Sequence, residues 1–213
     1  MGEAMRKLVL ASASPRRAEL LRQLGLTFVV SASGVAEEEK EQDPAALVKL
    51  LAISKAKAVA AKFADGIIIA ADTVVCLDGE LLGKPQDAKD AARMLASLSG
   101  RRHEVLTGVA VLRQPDGLLC CHVEKTAVTM REISEPEITW YLASGEPYDK
   151  AGGYGIQGRA AVFVEKLEGC YFNVVGLPLM ALCRLLAAVG VRIWEGAESI
   201  DSTAPDHQGF TAK

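Results

Sequence analysis

The sequence has few cysteines, and their arrangement excludes the usual cysteine-based scaffolds. Its 213 residues include five cysteines, an odd number, and no C-x-x-C motif. We therefore interpret them as buried thiols in a reducing compartment rather than as a disulfide framework or a zinc site. A chain of this length buries ~70% of its unfolded surface on folding, so it needs no disulfide bonds or metal sites for stability.

Long apolar runs are also absent. No segment approaches the ~18 consecutive apolar residues that a membrane-spanning helix requires. The basic residues Arg6 and Lys7 precede an apolar stretch, as in a signal peptide, but that stretch, residues 8–11, is too short. These features predict a soluble, cytoplasmic protein with no membrane partner.

Charge of one sign is not in excess either. The chain has 24 Lys and Arg against 27 Asp and Glu, a formal net charge of −3. Because a general binder of nucleic acid would normally be basic, we expect no nucleic-acid partner. Any phosphate binding must then come from a few placed cations in a local site.

Several catalytic and nucleotide-binding motifs are missing. The sequence contains no G-x-x-x-x-G-K-[ST] loop, no G-x-G-x-x-G that enters a helix and no G-x-S-x-G elbow. Its three histidines have neither metal-ligand spacing nor an evident Ser or Cys partner. These absences argue against a nucleotide kinase, a dinucleotide enzyme, a catalytic triad and a histidine zinc site.

Strand-like and helix-like patterns alternate along the chain, and adjacent strand patterns also occur. Strands are predicted at residues 8–11, 67–76, 103–112, 118–130, 162–166 and 171–175, the last two as a hairpin. Helices are predicted at residues 15–24, 44–62, 87–98, 135–143 and 177–188. We therefore predict an α/β fold with a mixed sheet and flanking helices over residues 1–194, followed by a polar C-terminal tail at residues 195–213.

A first candidate site follows the N-terminal strand. Small residues at 11–14 lead into a helix with Ser14 as its N-cap and with Arg16 and Arg17 in its first turn. Cations oppose the helix dipole at this end, so the sequence places guanidinium groups beside free N–H groups. This combination predicts an anion site whose natural occupant is phosphate. The alternative is a solvated basic turn.

Two polar residues, Asp72 and Thr73, interrupt the apolar strand pattern of residues 67–76. A buried carboxylate is costly unless it is paired, hydrogen-bonded or bound to a metal. We therefore expect Asp72 to lie at a cleft, and Lys84, in the following loop, to return to that cleft as a charge for phosphate. The alternatives are a structural carboxylate tied to backbone N–H groups and a lysine on the surface.

An acidic run at residues 37–39 lies in a loop before the second helix. Carboxylate oxygens suit Mg²⁺ or Mn²⁺, and a phosphate site commonly brings in such a cation. Lys55 and Lys57, on the helix that follows, are candidates for closing over a triphosphate. Most charge runs are simply solvated, which is the alternative here.

A segment at residues 145–158 carries five glycines, too many for a regular element. Glycine permits a close backbone approach and positive φ. Tyr148, Tyr154 and Gln157 could stack on a nucleobase and hydrogen-bond to it. The alternative is a flexible loop with incidental aromatic residues.

Six short motifs between about residues 8 and 188 share one family pattern. They are Ser12-Ala13-Ser14-Pro15-Arg16-Arg17, Ala71-Asp72-Thr73-Val74-Val75, Gly83-Lys84-Pro85, Thr107-Gly108-Val109, the stretch Asp149-Lys150-Ala151-Gly152-Gly153-Tyr154-Gly155-Ile156-Gln157-Gly158, and Asn173-Val174-Val175-Gly176-Leu177-Pro178-Leu179. In this order and spacing they resemble the Maf family of nucleoside triphosphate pyrophosphatases.

The resemblance implies a fold similar to inosine triphosphate pyrophosphatases, with an elongated mixed sheet and two lobes around a cleft, commonly in a homodimer. It also implies hydrolysis of a nucleoside triphosphate substrate to the monophosphate and diphosphate with a divalent cation, Mg²⁺ or Mn²⁺. The 150–158 stretch is similar to that of the subgroup acting on dTTP and UTP. Purine, 7-methylguanine and other modified triphosphates stay open on chemical grounds.

The resemblance also implies roles for individual residues. In that subgroup the residues matching Arg16, Thr73 and Gln157 set base preference, and the one matching Asp72 is the proton acceptor. The family often has paired acids in the acidic loop. Here Ala36 occupies the first place, so the metal-ligand role falls on Glu37. Our hypothesis for phosphate binding adds Ser14, Arg17, Lys55 and Lys84.

Two other functional classes stay open. A nucleotide-binding regulator of cell division would bind triphosphates without turnover, in keeping with the septum-formation label that some Maf proteins carry. A nucleic-acid-binding protein would need a basic face, and the net charge of −3 disfavours it.

Overall fold

The computed structural model describes residues 6–35 and 41–194, which form seven strands and six α-helices. The strands are β1 (Leu8–Leu10), β2 (Phe28–Val30), β3 (Gly66–Leu77), β4 (Glu80–Leu82), β5 (Arg102–Gln114), β6 (Leu118–Met130) and β7 (Val164–Glu168). The helices are α1 (Pro15–Gln23), α2 (Pro44–Ala60), α3 (Ala88–Leu98), α4 (Glu135–Leu142), α5 (Tyr171–Val175) and α6 (Leu179–Ala188). Short 3-10 turns occupy Glu146–Asp149, Ala151–Gly153 and Arg159–Phe163.

All seven strands belong to one mixed sheet, which confirms the predicted α/β class. The strand order is β2-β1-β3-β5-β6-β7, and β4 pairs separately with β3. Strand β1 is parallel to both of its neighbours, whereas β3–β4, β3–β5, β5–β6 and β6–β7 are antiparallel. None of the helices among the described residues is long and apolar enough to cross a membrane.

Side-chain caps stabilise the starts of three helices. Asp43 accepts hydrogen bonds from the N–H groups of Ala45 and Ala46, and Asp87 accepts one from Asp90. At the start of α4, the Glu137 carboxylate accepts the Ser134 N–H at 2.9 Å. Each cap satisfies N–H groups that have no partner within their own helix. Helices α2 and α4 begin at their predicted residues, and α3 begins one residue later than predicted.

The predicted strand at residues 171–175 is wrong, because this segment forms the short helix α5. Its aromatic and β-branched residues are typical of a strand, but the side chain of Asn173 points into the protein. There it donates to the carbonyl of Val105 and to the hydroxyl of Thr126, both at 2.9 Å. Tertiary hydrogen bonds therefore override local preference, and the predicted hairpin keeps only its first arm, β7.

Helices cover both faces of the central strand β3. Ile68 and Ala70 pack with residues of α2, whereas Ile67 and Ile69 pack with residues of α1 and α6. A further core, which includes Leu95 of α3, packs around Val105 of β5 and Val128 of β6. The cores on the two faces of β3 form one lobe and this core forms the other, and side chains from both lobes line the cleft described below.

A glycine in β5 allows α2 to lie directly on the sheet. A Cβ atom added at Gly108 would lie 2.2 Å from the carbonyl oxygen of Val48 in α2. Gly108 pairs with Asp72 across the β3–β5 ladder. The same close approach therefore brings α2 over the predicted catalytic carboxylate.

We expect Gly108→Ala to reduce the free energy of unfolding by about 1–3 kcal/mol, because the added methyl group meets backbone rather than a movable side chain. Denaturant unfolding would measure the change. Gly83→Ala is the matched control, since a Cβ there meets nothing within 4 Å. Equal stability of the two variants would contradict this role of Gly108.

Candidate functional site

A cleft of about 690 Å³ lies between the two lobes. Its walls come from the end of β1, the start of α1, α2, the middle of β3 and the loop after β4. The glycine-rich segment, residues 145–158, also contributes to the walls. This volume is typical of sites that bind a small molecule.

The cleft opens where one edge of β3 has no partner strand. Strand β1 pairs with β3 as far as Ile69, and β4 joins the same edge only from Val75. Asp72 and Thr73 lie in this gap, while β5 occupies the opposite edge. Side chains on both faces of β3 can therefore reach one cleft.

Asp72 and Lys55 form a buried ion pair on the α2 side of the gap. The Lys55 Nζ atom lies 2.5 Å from Asp72 Oδ1, and the two residues are only 7% and 5% exposed. Lys55 reaches this position because Leu47, Leu51 and Lys55 recur every fourth residue on the face of α2 that lines the cleft. Each charge compensates the burial of the other.

Arg17 lies on the opposite face of β3. Its guanidinium donates to the hydroxyl of Thr73 at 3.0 Å, to the carbonyl of Gly176 at 2.8 Å and to the hydroxyl of Ser12 at 3.2 Å. These contacts hold it beside the gap, across the strand from Asp72. The Arg17 guanidinium and the Asp72 carboxylate thus extend from opposite faces of β3, and both residues line one cleft because β1 ends at Leu10.

The hydroxyl group of Ser14, at the start of α1, does not cap the helix. Ser14 occupies the N-cap position, but its side chain makes no cap hydrogen bond. Its N–H instead donates to the Ser12 hydroxyl at 3.2 Å. The positive end of the helix dipole therefore faces the cleft next to the two arginines.

The glycine-rich segment closes the other side of the cleft. Arg16 Nη1 lies 3.2 Å from Asp149 Oδ2, an ion pair that joins α1 to this segment. Partial burial alone would raise the pKa of Asp149, but Lys150 and Arg16 together hold that pKa below its ordinary value. Lys84 and Gln157 also line the cleft, and both side chains are exposed.

The profile of a family described as Maf-like protein matches residues 7–189. The chain belongs to the Maf family. The Maf match covers all seven strands and all six helices of the described residues.

Relatives of this Maf chain share about half of its residues. A dTTP/UTP pyrophosphatase of Moorella thermoacetica is 53% identical over 191 residues, which cover 89% of this chain and 98% of that protein. One from Symbiobacterium thermophilum is 50% identical over 193 residues, covering 90% and 98%. One from Deinococcus radiodurans is 50% identical over 189 residues, covering 89% and 96%.

Two solved structures show a weaker similarity. The Staphylococcus aureus Ham1 protein aligns with a TM-score of 0.44 and 17% identity, over 59% of this chain and 72% of that one. A nucleoside-triphosphatase, or dITP/XTP pyrophosphatase, from Mycobacterium abscessus aligns with a TM-score of 0.43 and 19% identity, over 86% and 98%.

The Maf cleft brings together the described residues that were predicted to act in catalysis or substrate binding. They are Ser14, Arg16, Arg17, Lys55, Asp72, Thr73, Lys84 and Gln157. Glu37, the predicted metal ligand, lies outside the described residues. Lys57 and Tyr148 are exposed, and neither belongs to the described lining of the cleft.

Sequence reasoning missed four residues that support the site. Ser12 and Asp149 lie within the quoted motifs, but only the fold shows that each holds an arginine. Thr107 contacts the Thr73 hydroxyl from the neighbouring strand β5. His103, set aside for lack of a metal or nucleophile partner, contacts Tyr154 in the wall of the cleft.

His103 and Tyr154 form a buried polar pair behind the cleft. The His103 Nε2 atom and the Tyr154 hydroxyl are 2.6 Å apart, and the residues are 2% and 5% exposed. Within the described residues, His103 Nδ1 has no hydrogen-bond partner. Burial lowers the pKa of the His103 ring to about 4, because the charged form loses its hydration.

This pKa predicts a pH dependence of stability. The unfolded chain binds a proton at its ordinary pKa of about 6.5, above that of the folded state, so folding is favoured at higher pH. As pH falls from about 6.5 to about 4, the wild type should lose roughly 3 kcal/mol from this residue.

Unfolding in denaturant at pH 7 and at pH 4.5 would measure this loss. His103→Gln, which keeps a polar partner for Tyr154 but does not titrate, should lose less stability between these two pH values. His122→Gln removes an exposed histidine and is the matched control. An identical pH dependence in wild type and His103→Gln would rule out the assignment.

Proposed function

We propose that this protein hydrolyses nucleoside triphosphates, dTTP and UTP foremost, to the monophosphate and diphosphate. The observation that carries the proposal is the buried Asp72 carboxylate in a cleft whose walls also present Lys55, Arg16, Arg17 and Lys84. A triphosphate needs several cations, and hydrolysis needs a base. The names of the Maf relatives, dTTP/UTP pyrophosphatase, support the same reaction.

Asp72 is the proposed general base. It takes a proton from a water molecule whose oxygen bonds to the α-phosphorus. The bond from that phosphorus to the oxygen bridging the α and β groups then breaks, and diphosphate leaves with the bonding electrons. The Lys55 ammonium, 2.5 Å from Asp72 Oδ1, fixes the orientation of the carboxylate beside the phosphate site.

The cations and the start of α1 are the proposed phosphate-binding elements. Arg17, Lys55, Lys84 and the helix N-terminus at Ser14 counter the charge that spreads over the phosphate oxygens during transfer. Phosphoryl transfer depends mainly on such positioning and charge stabilisation. Arg17 is well suited because its guanidinium is already oriented by Thr73, Gly176 and Ser12.

The proposed base-binding residues are Arg16, Thr73 and Gln157. All three line the cleft, and Asp149 of the glycine-rich segment orients Arg16. The amide of Gln157 both donates and accepts, so it can match a pyrimidine edge.

We include a divalent cation, Mg²⁺ or Mn²⁺, in the proposal. The described lining holds two carboxylates, Asp72 and Asp149, each in an ion pair, and no cluster of three metal-binding side chains occurs among the described residues. That set fits a cation held by one or two carboxylates and substrate oxygens, with Glu37 as the proposed ligand. When bound, the cation neutralises phosphate charge. A cytoplasmic location and a homodimer complete the proposal.

Asp72→Asn tests the proposed base. Loss of a general base reduces turnover by ~10²–10⁴-fold, while nucleotide binding should remain detectable. Diphosphate release and calorimetric binding of UTP would measure the two effects. Asp65→Asn, at a carboxylate with a 66% exposed side chain, is the control and should keep the wild-type rate. Full activity of Asp72→Asn would remove Asp72 from the mechanism, and a wild type that binds UTP without turnover would indicate a regulator.

Hydrolysis in ¹⁸O-labelled water tests the position of attack. Attack at the α-phosphorus should place the label in the monophosphate, because the water oxygen bonds to that phosphorus. Mass spectrometry of both products measures the distribution. Label in the diphosphate would place the attack at the β-phosphorus and contradict the proposed reaction.

A further inference from the structure

A chain of hydrogen bonds runs from the cleft into the protein interior across β3 and β5. Arg17 Nη2 lies 3.0 Å from Thr73 Oγ1, and that oxygen lies 2.9 Å from Thr107 Oγ1. Thr107 Oγ1 in turn lies 3.0 Å from the carbonyl oxygen of Asn173. Thr107 and Asn173 are both 0% exposed, so solvent cannot replace either partner.

The ends of this chain determine the direction of every hydrogen bond in it. A carbonyl oxygen only accepts, so Thr107 donates its single hydroxyl proton to Asn173. A guanidinium only donates, so Thr73 accepts from Arg17. Because the Thr107 proton is already used, the bond between the two hydroxyls must be donated by Thr73.

Thr73 therefore has no proton to offer the cleft. One lone pair of its oxygen accepts from Arg17, and the other is available only as an acceptor. Phosphate oxygens are themselves acceptors, so the Thr73 hydroxyl does not suit them. Its complement in a ligand is a hydrogen-bond donor.

We propose that Thr107 is a positioning residue for base selection, which holds Thr73 as an acceptor for the ring N–H of a uracil or thymine base. This inference rests on the proposed function. The pairing edge of these bases has two carbonyl acceptors and a single donor, the N3–H group. Cytosine carries an unprotonated N3 at that position, whose lone pair would face the lone pair of Thr73.

Thr107→Val tests the proposal, because valine has nearly the same shape but cannot accept the Thr73 proton. That proton can then turn toward the cleft and donate to N3 of cytosine. The ratio of kcat/KM for UTP to that for CTP should fall about tenfold relative to the wild type, the worth of one hydrogen bond. The Asn173 carbonyl keeps a second donor, the Gly176 N–H at 2.9 Å, so the fold should tolerate the change.

Two variants separate base selection from a merely structural role. Thr107→Ser keeps the hydroxyl and should restore the wild-type ratio. Thr126→Val removes another fully buried hydroxyl, which accepts from the Asn173 amide and donates to the Cys170 carbonyl. Because this hydroxyl lies outside the Arg17–Thr73–Thr107 chain, its loss should lower stability without changing the ratio. The proposal is overturned if Thr107→Val lowers both rates equally, or if Thr126→Val shifts the ratio as much.

Failure of the proposed function would be seen separately. A wild type that prefers other nucleotides contradicts the proposed substrates, but the shift between wild type and Thr107→Val still decides the role of Thr107. If the wild type releases no diphosphate, calorimetric Kd values for α,β-methylene UTP and CTP provide the same ratio. An unchanged Kd ratio in Thr107→Val would overturn the proposal.

Discussion

The ion pair between Asp72 and Lys55 is the interaction on which the site depends. Transfer of an ionised carboxylate from water to the protein interior is unfavourable unless a partner compensates it. Here the partner is an ammonium group 2.5 Å away, on a helix that a glycine allows to touch the sheet. Removing one member of such a pair costs ~3–5 kcal/mol, whereas apolar replacement of both is often neutral. Stability alone does not require this pair, and for that reason we propose a functional role for it.

The gap along β3 decides what surrounds the pair. Alternation of side chains along a strand sends Asp72 toward α2 and Thr73 toward α1, so a complete sheet would separate them. Because β1 ends at Leu10 and β4 pairs only from Val75, the cleft reaches both faces of the strand. One edge of the sheet can thus present the Asp72 carboxylate, the proposed general base, on one side and the Arg17 guanidinium on the other.

Buried polar groups behind the cleft determine which hydrogen bonds the cleft walls can make with a ligand. The Arg17–Thr73–Thr107–Asn173 chain converts a hydroxyl that could donate or accept into an acceptor. In the other lobe, the buried His103 ring contacts the Tyr154 hydroxyl behind the cleft wall. Thr107 and Asn173 are shielded from water, so the fold rather than the solvent sets the direction of the hydrogen bonds that they make.

Local sequence patterns were sufficient to predict much of the fold and many of the residues that line the cleft. Proline and cap residues mark the starts of α1, α2 and α4, the apolar β-branched run marks β3, and Asp72 and the two arginines stand out against apolar surroundings. Hydrogen bonds between residues distant in sequence settled the rest. Asn173 turns a strand-like segment into α5, and Asp149, Thr107 and His103 acquire their roles from partners at least 34 positions away. Periodicity and capping act within one turn or one strand, so they cannot report which distant groups a folded chain brings into contact.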